Sequence, residues 1–254
     1  MYKVIACIVL TVLVGCTATS GQKKQIDTEA LLLQAQNYSE LASYYKSELV
    51  EKDTVETRIK LARSYLRIKD ADSALFTLQP VLAKENVPAE ALLVNASSLY
   101  EMGEFKQGLE AIERAAELEP KNAEIQNLAG LLYSANGDFG KARAQFNLAR
   151  SNFYNDITVK NNLAVLDIIE GHYLDAVQRL MPIYTNDKAD SQVQANLMLA
   201  LAKLGNFDYV RTMLGPNVSE EEAFNHFAAL RNSEPTANVN PELLKTEQIE
   251  ELAQ

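Results

Sequence analysis

Few side chains here could do chemistry by themselves. The 254 residues include two cysteines, Cys7 and Cys16, and two histidines, His172 and His226. A zinc site needs three or four Cys, His or carboxylate ligands at short spacings, and neither histidine has a second ligand so placed. His172 follows Gly171 and reads as an exposed turn residue; His226 reads as partly exposed packing beside Phe227. The stretch Ala135-Asn-Gly-Asp-Phe-Gly-Lys-Ala142 carries the Gly-Lys of a phosphate-cradling loop. That loop also needs Gly at position 135 and Ser or Thr at 142, and both are Ala. Glu221, Glu222 and the acidic C-terminal end read as solvated charge. No nucleophile, base and orienting group form one set. The sequence therefore offers no catalytic residue, no cofactor-binding residue, no metal site and no small-molecule substrate. What remains is one thiol and the capacity to bind.

The thiol is Cys16. It ends the opening stretch MYKVIACIVLTVLVGCTATS. The apolar run from Val4 to Val14 is too short for a hydrocarbon core of ~30 Å at ~1.5 Å per residue. Lys3 in front and small residues behind give it the layout of a secretory signal. Leu13-Val14-Gly15-Cys16 resembles the lipobox of bacterial lipoproteins. The resemblance implies cleavage after residue 15, with diacylglycerol on the Cys16 thiol and an N-acyl chain on its new amine. Several acyl chains hold a protein durably where one binds reversibly. Thr17 stands where an inner-membrane retention signal would place Asp, so the implied location is the periplasmic face of the outer membrane. Residues 17–27 read as a polar tether.

Composition narrows the partners. The chain carries 24 Lys+Arg against 34 Asp+Glu, net −10. Removing residues 1–15 takes away Lys3 and leaves 23 against 34, net −11. An acidic surface does not track phosphate backbones, so nucleic acid is excluded as a natural partner. Ala, Leu, Glu, Asn and Gln are common while Gly and Pro are scarce, a helical composition.

The organisation lies in a repeat. AEALLVNASSLYEMGEFKQGLEAIERAAELEPKN (89–122) aligns without a gap on AEIQNLAGLLYSANGDFGKARAQFNLARSNFYND (123–156). The same frame extends to 55–88, 157–190 and 191–224, giving five units of 34 residues. Column 8 is Ala62, Ala96, Gly130, Ala164 and Met198; column 20 is Ala74, Gly108, Ala142, Ala176 and Val210. Small residues there let two helices approach closely. Column 15 is Lys69, Gly103, Gly137, Gly171 and Gly205, the left-handed stop of a first helix. Column 17 is Ala71, Phe105, Phe139, Tyr173 and Phe207, opening a second helix, and column 24 is Leu78, Ile112, Phe146, Leu180 and Leu214, its large core residue.

This pattern resembles the tetratricopeptide repeat. The resemblance implies an all-α, right-handed superhelical solenoid of helix–turn–helix units. The first unit departs from the pattern at Lys69 and Ala71, and the fifth is truncated at Gly215-Pro216. Solenoids need caps on their terminal faces. Residues 28–54 read as an N-terminal cap or degenerate repeat, with Tyr38, Leu41 and Tyr45 at the spacing of columns 17, 20 and 24. Ser219 and Glu222 form a capping box that opens a helix over 219–232. There Phe224, Phe227 and Leu230 can close the stack. Residues 233–254 form an acidic tail. By the same resemblance, columns 2, 5, 9, 12 and 13 face a concave groove. That assigns Leu93, Tyr100, Asn127, Leu131, Asn161, Val165, Ile168 and Leu199 to partner binding, an apolar strip with amides suited to a peptide. Arg63, Arg67 and Lys203 are scattered at the ends of the groove.

A lipoprotein built of such repeats resembles the TadD-like proteins of the tight-adherence (Flp) pilus system and the pilotins of type IV pili. The NYSELASYYKSELVEK lead-in, the second helices carrying TLQPVLAKE and RLMPIYTND, and the EEEAF helix carry the likeness to the first group. It implies a scaffold for pilus assembly whose client is a secretin or another pilus component. An adaptor for peptidoglycan hydrolases or a periplasmic protease is the other reading of the same architecture.

Overall fold

The computed structural model describes residues 28–233; the expected signal, the lipid tether with Cys16, and the acidic segment 234–254 lie outside them. Thirteen helices form among the described residues. The N-terminal cap is α1 (Thr28–Gln34) and α2 (Tyr38–Glu51). Five helix pairs follow: α3 (Val55–Arg67) with α4 (Ala71–Leu82), α5 (Ala89–Glu101) with α6 (Phe105–Leu118), and α7 (Ala123–Ala135) with α8 (Phe139–Ser151). Then come α9 (Asp156–Ile169) with α10 (Tyr173–Tyr184), and α11 (Ser191–Lys203) with α12 (Phe207–Leu214). The C-terminal helix is α13 (Glu220–Asn232).

Local chemistry sets each boundary. Every second helix opens at column 17, and in three units the column-16 residue, Asp70, Asp138 or Asn206, accepts a backbone N–H three residues on. Thr54, Asn122, Asn155 and Asp190 do the same for first helices. Each supplies an acceptor for donors the helix start leaves unpaired. Every first helix stops at column 15, where φ is +79° to +80° at Gly103, Gly137, Gly171 and Gly205. The next amide bonds back to the carbonyl of column 11, as from Asp138 to Tyr133 (2.9 Å) and from His172 to Asp167 (2.7 Å). This is the Schellman arrangement. Lys69 takes the same turn at φ +63°, and its next amide, Asp70, bonds Tyr65 at 2.9 Å. The first unit thus keeps the geometry that its sequence abandons.

The core runs between the two helices of each pair and on to the next unit. Columns 8 and 24 meet there, and their volumes compensate. Ala62, Ala96 and Ala164 are buried in units whose column-24 residues are Leu78, Ile112 and Leu180. In the third unit the large residue is Phe146, and the small one is Gly130. A methyl added at Gly130 would sit 2.5 Å from Cε1 and 2.6 Å from Cδ1 of that buried ring. The fifth unit breaks the pairing: Met198 and Leu214 are only half-buried.

The ends close unequally. Leu41, Ala42 and Tyr45 of α2 bury against Leu61. At the other end Ser219 and Glu222 form the capping box, and Phe227 buries with Leu230 packed beside it. Phe207 meets both Phe227 (5.5 Å) and Phe224 (5.9 Å), yet Phe224 stays 56% exposed. The expected three-residue closure is a two-residue closure with an aromatic rim.

Gly130→Ala should cost about 1–3 kcal/mol through overpacking. Gly130→Ala with Phe146→Leu should recover most of that loss, since it rebuilds the Ala62/Leu78 pairing; urea unfolding of the three variants checks this. Lys69→Gly should add ~1 kcal/mol by relieving a left-handed lysine. The ion pair it sacrifices with Glu101 (3.5 Å, Lys69 side chain 69% exposed) is worth little. A shift of the urea midpoint to higher concentration reads the gain.

Candidate peptide-binding groove

The first helices line one side of the stack. At its N-terminal half they enclose a cleft of about 720 Å³. Columns 6, 9 and 12–13 supply the walls: Lys60, Arg63 and Arg67 from α3, Val94, Ser97 and Tyr100 from α5, and Leu128 and Leu131 from α7. The cap helices supply Leu33, Tyr38 and Tyr45, and Tyr154 reaches in from the turn after α8.

Of the eight residues assigned to partner binding, Tyr100 and Leu131 line this cleft. Val165 and Leu199 are half-buried at the same column as Leu131, in the next two units. Leu93 (2% exposed) and Ile168 are buried in the core, contrary to the groove position expected of them. Asn127 and Asn161 are also buried, and their amides are engaged between units. The Asn162 amide donates to Asn127 Oδ1 at 3.0 Å, and the Asn196 amide donates to Asn161 Oδ1 at 2.8 Å. Column 5 thus turns toward the following first helix, one residue away from the groove column 6. These asparagines join neighbouring units, and Asn162 and Asn196 are the half-buried members.

Arg63 and Arg67 lie on α3 at one end of the stack and Lys203 on α11 at the other. Lys60, Arg63 and Arg67 fall on one face of α3 at intervals of three and four residues. Lys60 pairs with Glu29 (3.0 Å) and Glu56 (3.1 Å), and those two carboxylates hold its ammonium above the ordinary lysine value. The Tyr45 hydroxyl donates to Glu29 at 2.8 Å. Arg63 pairs with Glu90 (3.1 Å) and Glu124 (3.2 Å), tying three successive units together. Arg67 lies over the Tyr38 ring at 5.8 Å, and no carboxylate pairs with it among the described residues. Burial and Glu101 push the Tyr100 phenol up to about 12, so it stays neutral at physiological pH. The seven residues of α1 are too few to show a periodicity, so the wall they add could not be read from sequence.

A second polar cluster lies outside the cleft. Asp167, at column 11, has a side chain 3% exposed, where other units carry Tyr65, Leu99, Tyr133 and Leu201. Arg143 Nη1 donates to it at 2.7 Å and Arg179 Nε at 3.0 Å; Arg143 also pairs with Glu170. Burial would lower the Arg143 pKa, but the two carboxylates outweigh it and raise the value. This network ties α8, α9 and α10 together. Among the described residues no group of His, Cys, Asp and Glu is placed to hold a metal ion. No helix among them is long and apolar enough to cross a membrane.

The stacking of these pairs is found in solved structures. PilF of Pseudomonas aeruginosa matches with a TM-score of 0.61 at 16% identity, over 79% of this chain and 93% of that one. A tetratricopeptide repeat protein from Parabacteroides merdae matches with a TM-score of 0.60 at 18% identity, over 90% and 87%. The chain has the tetratricopeptide-repeat solenoid fold. A thermophilic protein of this fold from Thermus thermophilus gives 0.58 at 18% identity, over 68% and 95%. By sequence, tetratricopeptide repeat protein 21B of Xenopus laevis is 25% identical over 116 residues, 46% of this chain. Tetratricopeptide repeat protein 5 of Mus musculus is 24% identical over 187 residues, 69% of this chain. The chain spans 9% and 41% of the length of these two curated relatives. No family model matches it.

Asp167→Ala should destabilise the solenoid by about 2 kcal/mol, because two guanidiniums lose a shared buried acceptor. The estimate stays low in the range since both arginines are about a third in water. Asp167→Asn should retain part of that stability, and paired urea melts read the difference.

Proposed function

We propose that this chain is a lipid-anchored scaffold that holds a protein partner in its groove at the periplasmic face of the outer membrane. The observation carrying this reading is the cleft itself. It is walled by tyrosines, leucines and an arginine column, and it is long enough to span three units. Apolar walls with a few fixed polar groups suit a peptide segment. The Leu-Val-Gly-Cys stretch ending at Cys16 supports the lipid anchor. Anchor and groove together would deliver a bound client to a defined membrane.

The client is a component of a tight-adherence pilus apparatus, in the first place a secretin subunit. The lead-in, second-helix and EEEAF segments of the sequence support that assignment. In-cell crosslinking and pull-down of the tagged protein from outer membranes, read by mass spectrometry, tests it. Recovery of a secretin or another pilus-assembly protein is expected. Recovery of peptidoglycan hydrolases or a protease instead would move the chain to the adaptor reading.

Two variants separate anchor from groove. Cys16→Ser should release the protein from the membrane fraction into the soluble periplasm. Leu131→Glu with Val165→Glu should lower client recovery at least tenfold with helical circular dichroism unchanged. Full recovery by that folded variant would remove the groove from the mechanism.

A further inference from the structure

Ser233 follows α13, and its carbonyl accepts a hydrogen bond from Lys203 Nζ, which also donates to the Arg231 carbonyl at 3.0 Å. Lys203 is the column-13 residue of the fifth unit. Column 13 of the first unit is Arg67, and column 13 of the second is Glu101; both line the cleft. The C-terminal segment therefore leaves the fold at the column that forms the groove wall, held there by a lysine.

The segment that follows has the complementary chemistry. Residues 234–254 carry five glutamates and one lysine, net −4, with Leu243, Leu244, Ile249 and Leu252 between them. The cleft offers Arg67, which has no carboxylate partner among the described residues and lies over the Tyr38 ring, with Tyr154 lining the same cleft. It also offers apolar wall from Leu33, Leu66 and Leu131. Reach is sufficient. Four units of packed first helices at roughly 10 Å each put the two ends on the order of 40 Å apart. Twenty-one residues extend to roughly 70 Å.

We propose that residues 234–254 occupy the groove of the same molecule, with a tail carboxylate on Arg67, and that a partner must displace them to bind. The proposal rests on the reading of the groove as the binding surface. Tethering gives such a segment a high effective concentration, so weak contacts suffice to fill the site. A partner that wins must offer more contact than the tail. The tail thus sets a threshold against chance binders.

The test uses the full chain with a photo-crosslinking residue in place of Ser97, inside the cleft. Irradiation of an equal mixture of ordinary and ¹⁵N-labelled protein, followed by digestion and mass spectrometry, identifies the linked segment and whether both halves share a label. Links from position 97 to residues 234–254 within one molecule are expected. Arg67→Glu should lower their yield at least fivefold while Arg67→Lys keeps most of it. No link to 234–254, links only between differently labelled copies, or an unchanged yield in Arg67→Glu would each overturn the proposal. None of these readouts involves a client, so a failed pull-down and a failed crosslink are separate results.

Discussion

The fold depends on how closely the two helices of a unit can approach. That distance is set where column 8 faces column 24, and one large side chain must fit against one small one. Phe146 is tolerated because Gly130 has no Cβ; the alanine units use leucine or isoleucine instead. Interiors packed to crystal density leave no slack for a methyl group. Since each unit stacks on the next, an error in one pair would tilt the units that follow. The groove is assembled from residues on successive first helices, so its shape inherits this constraint.

Much of the fold was legible because the solenoid repeats one local solution. Glycine at column 15 in four of the five units names its backbone geometry directly, and five aligned copies leave little room for another frame. Lys69 shows the limit of that reasoning. The residue type departs from the pattern, yet the backbone takes the left-handed turn and closes it with the Asp70 to Tyr65 bond.

The groove was harder to read. Helical periodicity places columns 5 and 6 only 100° apart, and the choice between them depends on how the next helix leans. Column 5 went inward, which buried Leu93 and turned Asn127 and Asn161 into links between units. Arg63 and Arg67 were visible in the sequence, but the walls that Leu33 of α1 and Tyr154 add beside them were not. An acidic chain of net −10 thus presents a basic strip at one site, most of it neutralised by Glu29, Glu56, Glu90 and Glu124.

The Arg143–Asp167–Arg179 rung has a consequence for how the array holds together. The buried apolar residues fall into a set ending at Leu166 and a set opening at Ala164, with α9 giving a face to each. Val159, Leu163 and Leu166 of α9 pack with the third unit, so the rung adds an ionic coupling to an apolar one. In a linear array, cooperativity is the sum of nearest-neighbour couplings, and a chain of couplings yields first at its weakest member. Methylene packing ignores salt, while charge pairs at a partly wetted edge weaken with it. The half of the array that carries the cleft and the half that carries the C-terminal helix are therefore joined through α9 by apolar packing that salt leaves alone and by a charge rung that salt softens.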